Sequence, residues 1–239
     1  MIFFRSLIFN LVLFCWTIVV LIALLPVLLM PRHLLVKAVR LWVFSIFGLQ
    51  RRLLKLEFEF RGQSLLPDGP FIIASAHQSA WDTIAFYAIT DDPAYVLKKE
   101  LYRVPMFAAY ARRLKMIAID RSAGAGAVRR MIRKVKERLE NGQSVIIFPG
   151  GTRSAPDEIA PLKSGIKALY RRCGVPVVPV ALNSGYFWGR RSFIKKPGVI
   201  IVEFQEPIVP GCDGSTFDTL LTQRIHSGNQ RLLREARGH

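Results

Sequence analysis

Acidic residues are scarce in this chain. Among 239 residues, Asp and Glu number 17 against 34 Lys and Arg, a formal net charge of +17. An imbalance of that size implies an acidic counterpart, whether nucleic acid, anionic lipid or a phosphorylated substrate. Cysteine is rarer still. Cys15, Cys173 and Cys212 show no Cys-x-x-Cys or Cys-x-x-His spacing. That argues against a disulfide framework or a thiol-ligated metal, and fits a reducing compartment. The chain also lacks any repeat period, low-complexity tract or Gly-x-Gly-x-x-Gly phosphate loop; the small residues from Ser122 to Ala127 read as a helix lead-in. Apolar residues are plentiful, at 51%, and the length suits one sizeable domain with an appendage.

The appendage is N-terminal. No charged residue occurs from Ser6 to Pro31, and Leu7 to Leu25 is almost wholly apolar, close to the ~20 residues that span a bilayer. A signal peptide would have a shorter apolar core and a small-x-small cleavage site, which the residues around Pro26 and Pro31 do not supply. A second apolar stretch, Leu34 to Leu49, carries polar side chains at Lys37, Arg40 and Ser45, within an arc of roughly 140° on a helix. It reads as a helix in the headgroup layer with its two cations toward lipid phosphates, a buried core helix being the competing account. Arg32, Lys37, Arg40, Arg51, Arg52 and Lys55 follow the apolar run while only Arg5 precedes it, so the remainder should be cytoplasmic. Residues 1–50 are thus expected to be an anchor with an interfacial helix, and 51–239 the main domain.

Within that domain strands alternate with helices. Lys55 to Arg61 alternates strictly, as an edge strand does, and short apolar runs follow at Phe71–Ser75, Ala94–Leu97, Met116–Ile119, Val145–Phe148, Val177–Leu182 and Val199–Phe204. Helical patterns lie at Trp81–Ile89, Met106–Leu114, Val128–Leu139, Gly165–Arg172 and Phe217–Glu235. The expected fold class is α/β: a single mixed, mostly parallel sheet of about seven strands flanked by helices.

Four segments concentrate the chemistry. His77 stands just past an apolar strand, and Asp82 follows five residues on. Within one helix they would be ~140° apart. They pair only if His77 lies in the turn and Asp82 in the first helical turn, where the carboxylate takes the Nδ1 proton and leaves Nε2 as a base. Ser79 is close but its aim is not fixed by the sequence, and a base without its own nucleophile suits activation of a substrate hydroxyl. The competing account makes His77 a helix-capping loop residue and Asp82 a first-turn acid. Asp120-Arg121 and Phe148-Pro149-Gly150-Gly151-Thr152-Arg153 end two further strands, so three strand ends are expected to converge on a ligand. Gly150, Gly151 and Thr152 can turn N–H groups toward an anion while Arg153 grips it, which suits phosphate; a plain turn is the alternative. Lys98 adds a possible cation. Val175-Pro176-Val177-Val178-Pro179-Val180 reads as an apolar wall or a plain edge strand, its prolines tolerated at a lip.

Taken in order, these segments resemble the four sequence blocks of the glycerolipid acyltransferase family, most closely its 1-acyl-sn-glycerol-3-phosphate acyltransferases. The first block, His-x4-Asp, is matched by His77 and Asp82; then come Ile119-Asp120-Arg121, Phe148-Pro149-x-Gly151-Thr152-Arg153 and Val175-Pro176-x-Val178-Pro179-Val180. The resemblance covers about residues 54 to 205. It implies a membrane-bound enzyme that moves an acyl group from acyl-CoA or acyl carrier protein to lysophosphatidate, without metal, cofactor or covalent intermediate. It further implies His77 as general base oriented by Asp82, with Arg121, Arg153 and Lys98 serving the acceptor phosphate.

This chain departs from the pattern at Ala76, where the family has Asn, at Lys115, where it has Gly, and at Gly150, where it has Glu. The last puts the acceptor in question. Either Gly150 retunes acceptor choice, or it occupies a positive-φ turn position that no side chain tolerates; the first is preferred because Gly151 already supplies a flexible position. A non-catalytic lipid-binding relative is the remaining alternative. Nucleic acid is not expected as a partner: the cations from Arg129 to Arg138 lie opposite an apolar stripe of Val128, Met131, Ile132, Val135 and Leu139, and no nucleic-acid module accompanies them.

Overall fold

The apolar run at the start folds as helix α1 (Ile2–Ala23), which a 3-10 turn at Pro26–Leu29 and Pro31 separate from helix α2 (Arg32–Leu54). The computed structural model describes residues 1–120, 123–158 and 160–238. Both helices are long and apolar enough to cross a membrane, with mean hydropathies of 2.5 and 1.2, yet only 11% of α1's apolar window is buried against 33% of α2's. Two ties hold α1 near its start: Ser6 Oγ accepts the Lys195 N–H (2.9 Å) and Asn10 Nδ2 donates to the Phe193 carbonyl (3.0 Å). At its other end, Tyr110 Oη donates to the Leu21 carbonyl (2.5 Å), and just beyond it Arg113 Nε donates to that of Leu28 (3.1 Å).

The cations of α2 find partners that its helical arc does not reveal. Arg40, its side chain 37% exposed, donates to the exposed Asp91 (3.1 Å) and to the Ala88 carbonyl (3.1 Å), and Arg32 pairs with Asp92, while Lys37 is exposed without such a partner among the described residues. The carboxylates that draw these arginines in lie some fifty residues away, beyond the reach of any periodicity. Leu54, Phe47 and Val43 join the core of the main body, so α2 is the layer between α1 and the sheet.

The chain continues through β1 (Leu56–Arg61), β2 (Ile72–Ser75), α3 (Asp82–Ala85), β3 (Pro93–Lys98), α4 (Pro105–Arg113), β4 (Ile117–Ile119) and α5 (Gly124–Glu140). It ends with β5 (Ser144–Ile147), α6 (Ser164–Cys173), β6 (Val177–Leu182), α7 (Ser184–Phe187), β7 (Gly198–Phe204) and α8 (Gly214–Arg237). The seven strands form one sheet in the order β1-β7-β6-β2-β5-β3-β4, parallel at every contact except β6 against β7. The mixed, mostly parallel sheet and the edge position of β1 agree with the sequence. Gly124 to Ala127 lie inside α5 rather than ahead of it.

The strand after Pro176 is a second correction: β6 is neither edge nor lip but sits between β7 and β2 with all six residues buried. Its interior proline is tolerated because the ladder with β7 runs only from Val180↔Phe204 to Leu182↔Val202, leaving Pro179 just outside it. Period-two alternation sends Ile73, Ile146 and Val178 to the α2 side of the sheet and Ile72, Val145 and Val177 to the side of α5, α6 and α8.

Candidate active site

The turn between β2 and α3 puts a histidine and a buried carboxylate together. The His77 ring lies with Nδ1 3.1 Å from Asp82 Oδ2, its side chain 15% exposed and that of Asp82 0%. An ionised carboxylate out of water persists only where its oxygens are fully hydrogen-bonded. Asp82 meets that condition: Oδ2 accepts the N–H groups of Gln78 (2.7 Å) and Ser79 (2.8 Å), and Oδ1 accepts Ser184 Oγ (2.5 Å). With Nδ1 committed to the acid, Nε2 is the nitrogen left to take a proton. Phe148 stacks on the ring at a centroid distance of 4.1 Å and fixes its plane. Behind Phe148, burial pushes the Tyr95 hydroxyl well above its ordinary pKa, so that wall is uncharged.

Ser79 does not complete a triad. It is fully buried, and its Oγ accepts the Trp81 N–H (3.1 Å). Trp81 reaches the other way, stacking on Phe47 at 5.2 Å and donating Nε1 to Gln50 Oε1 (2.9 Å), so α2 braces the loop that carries the pair. Gln78 ties that loop to the end of β6 by donating to the Leu182 carbonyl (2.9 Å) and to α7 by accepting from Gly185 N (3.0 Å). A Cβ on Gly185 would stand 2.8 Å from Gln78 Cβ, so only glycine fits. No thiol enters this arrangement: Cys15 lies exposed on α1, burial raises Cys173 to about 11, and Cys212 hydrogen-bonds Tyr170.

The end of β5 comes alongside β2, its neighbour in the sheet. The Ser154 N–H donates to the His77 carbonyl (2.9 Å), and Gly151 takes φ 75° while donating to the Phe148 carbonyl (2.9 Å). A cavity of about 40 Å³ adjoins His77, lined by Gly150, Thr152 and Ser154 and, from α8, by Thr222, Ile225 and His226. Pockets that engulf a whole ligand run to ~300–1,000 Å³, so this one is too small for a lipid, and neither Asp82 nor Phe148 lines it. A separate groove of about 470 Å³, between Ile2 and the Tyr186–Lys196 region, shares no residue with it.

The remaining expected residues are placed differently. β5 and β3 lie between β2 and β4, so at ~4.8 Å per strand the end of β4 stands ~14 Å along the sheet from that of β2. Asp120 pairs there with Lys99, and Lys98 Nζ lies 3.7 Å from Glu100. Arg153 is half-buried beside the cavity, its carbonyl accepting from Arg190 (3.0 Å). Arg121 and Ser122 lie outside the described residues. Gly150 does not have positive φ, which removes the backbone-strain account, but a Cβ there would come within 2.8 Å of Ala160 Cβ.

Sequence reasoning missed Ser184, Gln78 and the face of α8. Ser184 lies 102 positions from the carboxylate it holds, and no local spacing encodes such a contact. Thr222, Ile225 and His226 had a weak signal in their i, i+3, i+4 stripe.

A protein-family model described as acyltransferase matches residues 57–183. The chain is 36% identical over 161 residues to the 1-acyl-sn-glycerol-3-phosphate acyltransferase of Pseudomonas aeruginosa, covering 67% of this chain and 63% of that one. The protein of that name from Limnanthes alba is 30% identical over 203 residues, 81% of this chain and 71% of that one. In fold, the chain is similar to the crystal structure of the 1-acyl-sn-glycerophosphate acyltransferase PlsC of Thermotoga maritima, with a TM-score of 0.80 at 23% identity over 97% of this chain and 98% of that one.

Proposed function

The chain belongs to the acyltransferase family, and from that premise we propose that it moves a fatty acyl group from an acyl thioester to the sn-2 hydroxyl of lysophosphatidate, giving phosphatidate. One observation carries this reading: His77 is backed by a fully hydrogen-bonded buried carboxylate, and among the described residues its ring bonds no serine or cysteine. A base so placed acts on the substrate's hydroxyl. Its Nε2 takes the proton as the oxygen attacks the thioester carbonyl; the C–S bond then breaks, and the imidazolium returns the proton to the departing thiolate. One ester forms, one thiol leaves, and the enzyme is unchanged. The thioester is already activated, so the reaction requires no metal or cofactor.

Arg153 and, farther out, Lys98 and Arg121 are assigned to the acceptor phosphate, with Gly150, Gly151 and Thr152 shaping the near wall of the cavity. The exposed apolar side chains of α1 seat the protein on the cytoplasmic membrane, residues 1–50 serving as anchor and 51–239 as the acyl-transfer domain on the cytoplasmic side. Acyl-CoA and acyl carrier protein are both donors of the required chemistry. A different lysolipid acceptor is the second reading, favoured by Gly150, which leaves the cavity without the family's glutamate.

Transfer of a labelled acyl chain to a panel of lysolipids, by wild type and by His77→Ala, tests the proposal. Lysophosphatidate should be the best acceptor, with turnover lost in the variant. Another preferred lysolipid selects the second reading, and no transfer to any of them overturns the enzymatic one.

A further inference from the structure

In a lysophosphatidate the carbon that bears the reacting hydroxyl is bonded to the carbon that bears the phosphate. A cation that holds this phosphate therefore stands close to the base. The loops nearest to a strand end are those of the two neighbouring strands that run the same way. For β2, which delivers His77, those neighbours are β5 and β6, both parallel to it. The loop beyond β5 holds Arg153. The loop beyond β6 holds a cation that none of the four sequence blocks contains, Arg190.

That loop is pinned against the site from its start. Ser184 holds Asp82 and Gly185 N bonds Gln78 Oε1, after which the chain turns sharply, Ser192 N donating to the Gly189 carbonyl (3.1 Å). A Cβ on Gly189 would stand 3.0 Å from the Gly185 carbonyl oxygen, and Arg191 takes a left-handed φ of 58°, which a residue with a side chain rarely adopts. The turn brings Arg190 Nη1 to the Arg153 carbonyl (3.0 Å). The N–H of that same peptide group, on Ser154, donates to the His77 carbonyl (2.9 Å). One peptide group thus separates Arg190 from the backbone of the base.

This contact uses one of the five N–H donors of the guanidinium. Arg190 is exposed, and among the described residues no carboxylate pairs with it, with its neighbour Arg191 or with Arg153. Three like charges brought to one edge of the site repel one another unless an anion stands among them. With Nη1 spent on the Arg153 carbonyl, the edge formed by Nε and Nη2 remains free, and such an edge matches two oxygens of a phosphate.

We propose that Arg190 binds the acceptor phosphate together with Arg153, the two guanidinium groups reaching it from the loops on either side of His77. The assignment rests on the acyl-transfer reading and adds to it a residue from outside the four blocks. It holds for either acceptor reading, because every lysophospholipid carries the phosphate.

The test is steady-state transfer by the full-length enzyme, varying lysophosphatidate at saturating donor and then the acyl donor at saturating lysophosphatidate. The variants are Arg190→Ala, Arg190→Gln and Arg190→Lys, with Arg171→Gln on the outer face of α6 as a control. Arg190→Ala should raise KM for lysophosphatidate ~10-fold or more, with kcat and the donor KM within ~2-fold of wild type. Arg190→Gln still offers an N–H to the Arg153 carbonyl but has no charge, and should resemble the alanine variant. Arg190→Lys keeps the charge without the fork and should fall between, the control should match wild type, and added salt should narrow the gap between wild type and Arg190→Ala. A glutamine variant equal to wild type would make Arg190 a brace for the Arg153 loop, and a rise in donor KM with acceptor KM intact would make it a donor contact; either overturns the assignment, as does an unchanged Arg190→Ala. A wild type that transfers to no lysolipid overturns the acyl-transfer reading on which the assignment stands.

Discussion

Two aspartates stand beyond strands of the same sheet and are held in opposite ways. Asp82, beyond β2, has no exposed side-chain surface and accepts from two backbone N–H groups, a serine hydroxyl and the His77 ring. Asp120, beyond β4, keeps 25% of its side chain exposed and pairs with Lys99, itself 43% exposed. The first is a carboxylate whose every partner is fixed by the fold. The second lies where water competes for it. A buried charge is expensive unless the surrounding donors are prepositioned, and the same prepositioning gives a base its aim. Rim pairs carry neither the cost nor the aim.

The contrast is tested most severely by removing the ring that Asp82 orients. His77→Ala should lower turnover by ~10² or more, because general-base catalysis contributes ~10²–10⁴, while the thermal midpoint stays close to wild type. Near-normal turnover in the folded variant ends the mechanism. Asp82→Ala acts on stability as well: it strands the N–H groups of Gln78 and Ser79 and the Ser184 hydroxyl, at ~1–3 kcal/mol for each unsatisfied buried group. Urea denaturation that shows no loss would mean the network is not closed as described. Gly150→Ala comes next. Its Cβ would press on Ala160 Cβ, an overpacking that costs ~1–3 kcal/mol; activity should drop on every acceptor alike and recover when Ala160→Gly is added. Selective change on one acceptor without rescue would restore the tuning account preferred from the sequence.

At the rim the expectation is small. Asp120→Asn should change stability by ~0–1 kcal/mol, and the difference should fade in high salt. Subtler still is Lys195, 4% exposed, whose amine burial lowers to about 8. Its folded pKa lies below the unfolded ~10.4, so between those values the unfolded chain holds more protons and stability rises with pH. Melting of wild type and Lys195→Met compared from pH 7 to 10 should show wild type gaining on the variant as pH rises; a constant gap removes the assignment.

The strands were legible because each is a short apolar run bounded by turn residues, and β1 because its alternation marks one solvated face. The pair His77 and Asp82 was legible because only a turn-to-helix geometry joins residues at that offset. What was hidden is long-range. Strand order separates the ends of β2 and β4 although each run reads alike, and the prolines of β6 suggested an edge because nothing local tells where a ladder with β7 begins. Arg40 looked lipid-facing until Asp91 stood across from it. At Gly150 the sequence shows the missing glutamate but not Ala160, whose Cβ stands where a side chain would go.

Helix α1 carries a consequence of its own. Its 22 residues make it ~33 Å long, about the thickness of a bilayer's hydrocarbon layer. A helix of that length threaded across a membrane is sensitive to lipid chain length, since mismatch tilts it or deforms its surroundings. This one is moored fore and aft to a single rigid body, by Lys195 and Phe193 near its start and by Tyr110 and Arg113 at its far end. Both of its ends are tied to the same body, so α1 lies lengthwise along it. Tied at both ends, α1 has its attitude on the body set by those four hydrogen bonds rather than by its apolar length.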